Sequence, residues 1–251
     1  MKNAQIRFVL PLLAVAVVLV SMPAQAQTPP PVPTPPPANV PHDDWANMGK
    51  YGEADVALGM PAKGEDRVVF MGDSITEGWR SLEHDFPGSP HFTPINRGIS
   101  GQTTPQMLIR FRPDVIALHP KVVVILGGTN DVAGNTGYMP PEMTEGNLAS
   151  MAELAHANGI RVVLASVLPA SDFPWRRGLQ PGPKIAALNA WMRDYAAKNH
   201  CVYLDYYTPM VDADLGLKAG LTLDGVHPNP AGYAVMAPLA QRAIAQALHS
   251  R

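Results

Sequence analysis

Lys121–Leu126 (KVVVIL) places five apolar residues in succession, with no alternation between apolar and polar positions. A short run of this kind suits a strand covered on both faces, and such strands belong to parallel sheets whose crossovers are helices. Its neighbours agree. Arg67–Met71, Thr93–Asn96, Ile160–Val167 and Cys201–Leu204 also read as strands. Between them lie helical segments: Thr104–Leu118, predicted in two pieces broken at Pro113; Pro141–Asn158, stopped at Gly159; and Lys184–Asn199. The last of these repeats Ile185, Leu188, Trp191, Met192 and Tyr195 at helical spacing. A final helix, Ala231–Leu248, buries Met236, Ala240, Ile244 and Ala247 and is expected to kink at Pro238. Alternating strands and helices imply an α/β fold: a parallel sheet with right-handed crossovers and helices on both faces. There is no second such series, so one domain, 44–251, is expected. Its opening stretch, with Trp45 and Tyr51, should cap one edge.

The residues before that domain are of another kind. Lys2 and Arg7, the apolar run Phe8–Val20 and Ala24-Gln25-Ala26 form the three regions of a secretory signal peptide, 1–26, cleaved after Ala26. The run contains Pro11 and falls short of the roughly 20 residues a bilayer crossing needs, against an uncleaved anchor. A secreted or periplasmic protein without stable membrane insertion after cleavage is expected. Residues 27–43 include eight prolines in Gln27–Pro41 and read as an extended linker.

Charge and cysteine content narrow the function. The net charge of −2 is scattered, so a nucleic-acid partner is not expected. Cys201 is the only cysteine, which excludes an intrachain disulfide and a cysteine zinc cluster. It sits in an apolar strand and reads as an inert thiol.

Four short clusters carry the chemistry, each just after a strand or before a helix: Gly72-Asp73-Ser74; Asn96-Arg97-Gly98-Ile99-Ser100-Gly101; Gly127-Gly128-Thr129-Asn130-Asp131; and Asp224-Gly225-Val226-His227-Pro228-Asn229. In a doubly wound sheet these positions converge on the carboxyl edge. The residue types suit acyl transfer. A serine hydroxyl needs an adjacent base, for which His227 is the candidate, and an imidazole base needs a carboxylate, for which Asp224 is. The oxyanion of a tetrahedral intermediate needs donors, expected from the Ser74 N–H, the Gly98 N–H and the Asn130 amide. Asp73 and Asp131 read as braces and His42, His84, His91, His119, His156, His200 and His249 as bystanders. A metal site on Asp224 and His227 lacks further ligands, the Gly-x-Ser-x-Gly elbow is broken by Thr76, and no phosphate-binding glycine loop is present.

The clusters resemble blocks I, II, III and V of the SGNH hydrolases, or GDSL esterase/lipase family. Gly72-Asp73-Ser74 matches block I with Ile75 in place of leucine, Gly98 the block II glycine, Gly128-Thr129-Asn130-Asp131 block III and Asp224-Gly225-Val226-His227 block V. The likeness spans Arg67 to Leu248 and is similar to the small bacterial acylhydrolases related to platelet-activating-factor acetylhydrolase and lysophospholipase L1. It implies a three-layer flavodoxin-like fold with five parallel strands, and cofactor-free ester hydrolysis through an acyl-serine.

The expected substrate is a small-molecule or carbohydrate ester with a short acyl group. Lysophospholipase or thioesterase specificity, or a retired carbohydrate-binding module on the same fold, are the alternatives. For Trp79-Arg80 and the loop Ser171–Gly178, with Arg176 or Arg177, two readings stand: the mouth of the site, or a solvated loop. The oligomeric state is left open.

Overall fold

The computed structural model describes residues 44–82, 84–86 and 92–250. The predicted signal peptide and linker therefore lie outside the described residues, as do His42 and His91. In chain order the elements are α1 (Gly52–Leu58), β1 (Arg67–Gly72), α2 (Ser74–Glu77), β2 (Thr93–Gly98), α3 (Thr104–Asp114), β3 (Val122–Leu126), α4 (Thr129–Ala133), α5 (Pro141–Ala157), β4 (Arg161–Ala165), α6 (Pro181–Lys198), β5 (Val202–Leu204), α7 (Tyr207–Met210) and α8 (Pro230–His249). All five strands pair in parallel, in the order β2-β1-β3-β4-β5.

Successive residues of each strand point to opposite faces, and both faces are covered. Val69, Met71, Val123, Ile125, Val162 and Leu164 pack beneath α3, α5 and α6. Val68, Phe70, Val122, Val124, Leu126 and Val163 pack on the other side with Met236, Ala240 and Ile244 of α8. The unbroken hydrophobicity of Lys121–Leu126 is thus explained: Val122–Leu126 is buried at all five positions.

Several element ends differ from expectation for identifiable reasons. α3 runs through Pro113 to Asp114 and is followed by a 3₁₀ turn, Ile116–Leu118. The carbonyl that Pro113 leaves without a donor belongs to Ile109, a half-exposed residue, so water replaces the lost bond at little cost. α8 contains Pro238 without ending there, as expected, and Pro238 and Ala234 are both exposed. β4 stops at Ala165 instead of Val167 because the Asn189 side chain takes over the pairing. Its Oδ1 accepts from Val167 N at 2.8 Å and its Nδ2 donates to Val167 O at 2.9 Å. The stretch from Asp44 packs beside edge strand β2: Tyr51 donates to Gly98 O, and the Arg97 guanidinium meets Asp55.

β2 continues two residues beyond Asn96, to Gly98, in register with Gly72 of β1. A Cβ at Gly98 would lie 2.1 Å from Glu77 N, 2.7 Å from Thr76 C and 2.8 Å from Asp73 O, all backbone atoms of the turn after β1. Only glycine lets β2 and α2 approach this closely. Gly98→Ala is expected to destabilise the domain by about 1–3 kcal/mol, since the turn itself must shift. A urea titration of both proteins measures it.

Candidate active site

The strand order reverses between β1 and β3, and in such sheets the crevice beyond the carboxyl ends at that point receives ligands. Ser74 follows β1 and Asn130 follows β3, so topology alone brings these two to one crevice. Asp73 is the N-cap of α2: its Oδ1 accepts from Ile75 N at 2.9 Å. Ser74 is the first residue of that helix, where an N–H has no intrahelical acceptor.

The fourth cluster forms the loop before α8. Thr222 Oγ1 donates to His227 O at 2.8 Å and accepts from Gly225 N at 3.0 Å, while Gly225 takes φ +86°, closing a tight turn. Asp224 Oδ1 accepts from the N–H groups of Val226 (3.0 Å) and His227 (2.8 Å). Its other oxygen, Oδ2, lies 2.7 Å from His227 Nδ1. On the far side of the ring, His227 Nε2 lies 2.9 Å from Ser74 Oγ. Burial raises the Asp224 pKa, but the backbone and ring donors outweigh it and hold the carboxyl below its ordinary value. An ionised Asp224 accepts the Nδ1–H, which leaves the Nε2 lone pair facing the serine hydroxyl. α8 is tied back to the nucleophile turn: Tyr233 donates to Ile75 O at 2.9 Å and its ring packs 5.3 Å from that of Trp79. The separation of Ser74 and His227 is therefore set by a rigid contact between α2 and α8.

Asn130 is buried, and its side chain is held at both ends. Oδ1 accepts from Asn135 Nδ2 at 2.7 Å; Nδ2 donates to Gln102 O at 2.9 Å and makes a long 3.4 Å contact with Asp73 Oδ2. Asp131 faces away from the crevice and accepts from Thr104 and Thr144, joining α4 to α3 and α5. The expected role of Gly98 requires correction. Its N–H already donates to Asn96 Oδ1 at 2.9 Å, and its place is the close packing described above. Gly101, in the same cluster, differs. It has φ +76°, open space around its Cα, and an N–H with no acceptor among the described residues. Its carbonyl lies 3.4 Å from Asn135 Nδ2, and the next residue, Gln102, receives the Asn130 amide.

Beneath the crevice lies the fully buried guanidinium of Arg110, which no motif pointed to. It donates to Gly72 O (3.0 Å), Arg97 O (2.9 Å), Gln102 Oε1 (2.5 Å) and Asp114 Oδ2 (2.8 Å).

The mouth also differs from expectation. Trp79 is buried against Phe70, Phe86 and Tyr233. Arg176 braces α4 by donating to Ala133 O and Gly134 O, and Arg177 is an exposed partner of Asp172. Trp175 is the loop residue that reaches the site, its ring centre 6.1 Å from that of His227. A cavity of about 460 Å³ opens beyond α4, lined by residues including Val132, Met139, Thr144, Leu179 and Leu188; neither Ser74 nor His227 borders it.

With this geometry, the comparisons decide the family. The profile of the GDSL-like lipase/acylhydrolase family matches residues 70–235. The chain belongs to the GDSL-like lipase/acylhydrolase family. It is similar to the crystal structure of a GDSL-like lipase from Bacteroides thetaiotaomicron VPI-5482, at 50% identity and a TM-score of 0.75, covering 80% of this chain and 98% of that one. It is 27% identical to esterase TesA of Pseudomonas aeruginosa over 64% of this chain and 79% of TesA. A lipoprotein of Bacillus subtilis (strain 168), YqeF, is 32% identical over 45% of this chain; the match spans about half of YqeF, 53%. The family is one of esterases and acylhydrolases, and its GDSL signature falls here on Gly72-Asp73-Ser74-Ile75.

Two buried carboxyls of this family member stand close to the chemistry. Burial pushes Asp73 up to about 6, and neighbouring Asp131 is raised for the same reason. The sign follows from linkage. Between the ordinary value, 3.8, and about 6 the folded protein holds a proton that the unfolded chain has lost, so Asp73 lowers stability as pH rises through that window. Relative to wild type, Asp73→Asn is expected to gain on the order of 2 kcal/mol of stability between pH 4 and pH 7.5. Urea titrations at both pH values give the difference; an offset between the two proteins that does not change with pH would contradict it.

Proposed function

We propose that the chain is a secreted carboxylic-ester hydrolase acting through an acyl-serine, with signal peptide 1–26, linker 27–43 and catalytic domain 44–251. The observation that carries the reading is the relay Ser74 Oγ–His227 Nε2 (2.9 Å) and His227 Nδ1–Asp224 Oδ2 (2.7 Å) at the crevice that also holds the α2 N-terminus and Asn130. Ser74 Oγ attacks the ester carbonyl as its proton passes to His227 Nε2. The carbonyl π electrons move to oxygen, and Asp224 stabilises the imidazolium. The oxyanion is met by the Ser74 N–H, the second hydrogen of the Asn130 amide, and the Gly101 N–H in place of Gly98. On collapse the C–O bond to the alcohol breaks and His227 returns the proton to the departing oxygen. Water repeats the sequence on the acyl-serine, releasing the acid and restoring Ser74.

Short acyl groups are the preferred substrates: the chain has no long hydrophobic insertion to serve as a lid, and the 460 Å³ cavity does not border the serine. Export is supported by Lys2, Arg7 and Phe8–Val20, and by the lipoprotein among the relatives. Among the described residues no helix is long and apolar enough to cross a membrane.

Ser74→Ala is expected to abolish hydrolysis of a short-chain aryl ester while the thermal transition is retained; full activity in that variant would sink the proposal. Asn130→Ala is expected to lower kcat by about 10²–10³ with little change in KM. A change confined to KM would remove Asn130 from the oxyanion role.

A further inference from the structure

Among the described residues, Trp175 is the one aromatic side chain whose ring contact with a member of the relay leaves much of its own surface open: it is 45% exposed. It is also firmly held. Its ring stacks on fully buried Phe173, with centroids 5.2 Å apart and planes 27° apart, and its Nε1–H donates to Asn135 Oδ1 at 3.1 Å. The backbone around it is closed by Arg176 N to Phe173 O (3.0 Å) and Gly178 N to Asp172 Oδ1 (3.0 Å), and Arg176 Nη1 fastens the loop to Ala133 O at 2.9 Å. An exposed indole so restrained has paid its ordering entropy before any ligand arrives.

Its position assigns the part of the substrate it meets. In the hydrolase reading, on which this inference rests, His227 Nε2 delivers a proton to the departing alcohol, so that alcohol lies beside the imidazole. Trp175 flanks the same ring, with interplanar angle 40°. We propose that Trp175 is the platform for the alcohol portion of the ester, and that this subsite takes a ring-shaped polyol, a sugar ester, rather than a linear lipid alcohol.

The chemistry favours a ring. A linear chain gains most from a closed tube, where all of its surface leaves water, and an indole open on one side covers little of it. A sugar ring lays a flat face of C–H groups on the aromatic plane and turns its hydroxyls outward. Here polar groups are at hand: Asn135, which is exposed, accepts the indole N–H, and Asp172 and exposed Arg177, an ion pair, belong to the same loop as Trp175. A few placed polar groups around an aromatic floor are what orient a bound ligand. The platform also touches the oxyanion side, because Asn135, which accepts the Trp175 N–H, donates to Asn130 Oδ1 at 2.7 Å.

Two measurements test this. The first compares kcat/KM for acetates that share an acyl group and differ in alcohol: 6-O-acetylglucose, ethyl acetate and n-octyl acetate. In Trp175→Ala the ratio of 6-O-acetylglucose to ethyl acetate is expected to fall about tenfold, as for loss of one aromatic stack, while Trp175→Phe keeps most of it. An unchanged ratio, or a selective loss on n-octyl acetate, overturns the proposal. The second is calorimetric binding of 6-O-acetylglucose to Ser74→Ala and to Ser74→Ala/Trp175→Ala. Equal affinities overturn the platform whatever the turnover. If no acetate is hydrolysed in a Ser74-dependent way, the hydrolase reading itself fails, and the binding comparison still decides whether Trp175 holds a sugar.

Discussion

The carboxyl edge of this sheet is held together by one buried cation. Arg110 lies on α3, yet its guanidinium reaches the last carbonyl of β1, a carbonyl near the end of β2, and the side chain of Gln102 in the loop beyond. Burial disfavours the charge of Arg110 and also that of Asp114, which it faces at 2.8 Å. An ion pair this deep is not favourable for being an ion pair. What offsets its desolvation is that its N–H groups are given to backbone and amide acceptors as well as to the carboxylate. Because those acceptors belong to Gly72, Arg97 and Gln102, the guanidinium sets the spacing between the nucleophile turn and the loop carrying Gly101.

From that fixed edge the rest follows by short links. The order β2-β1-β3 brings the residues after β1 and β3 together, and the Tyr233 hydroxyl fastens α8 to the turn carrying Ser74. His227 is then positioned by its own loop, in which Asp224 serves twice: one oxygen closes the turn on two N–H groups and the other orients the ring. A carboxylate three residues before the histidine needs no distant element to do this. The Ser74–His227 contact, by comparison, spans 153 residues and depends on every intervening crossover.

That difference in range also accounts for what was legible in the sequence. The sheet could be read because its central strands β1, β3 and β4 carry unbroken apolar runs and its crossovers are long. The Asp224–His227 pairing could be read because it is local. α1, α4 and α7, of 7, 5 and 4 residues, are too short to show a period. Pro113 misled because the helix tolerates it where the carbonyl it leaves without a donor belongs to a half-exposed residue. Trp79 and Trp175 both lie near a motif, and no local pattern tells which is core and which lines the site. Arg110 was invisible for a different reason: its four acceptors come from separate elements.

Gly98 and Gly101 show the same limit at the level of one atom. Both glycines lie in one cluster, and a backbone N–H has no letter of its own. Gly98 is glycine because α2 passes within contact distance of its Cα, and its N–H is already given to Asn96. Gly101 is glycine because its φ is +76°, and its N–H has no acceptor among the described residues. The buried carboxyls sharpen the point. Asp73 faces the Asn130 amide, so an ionised Asp73 competes with a developing oxyanion for the same hydrogen. Burial raises Asp73 to about 6, so this competition is relieved below that pH and present above it, while Asp131 is kept occupied by Thr104 and Thr144 on the far side of α4. The two carboxyls that the fold buries beside the crevice therefore act differently: Asp131 is satisfied by its own donors, whereas Asp73, above about pH 6, draws on the same amide as the substrate.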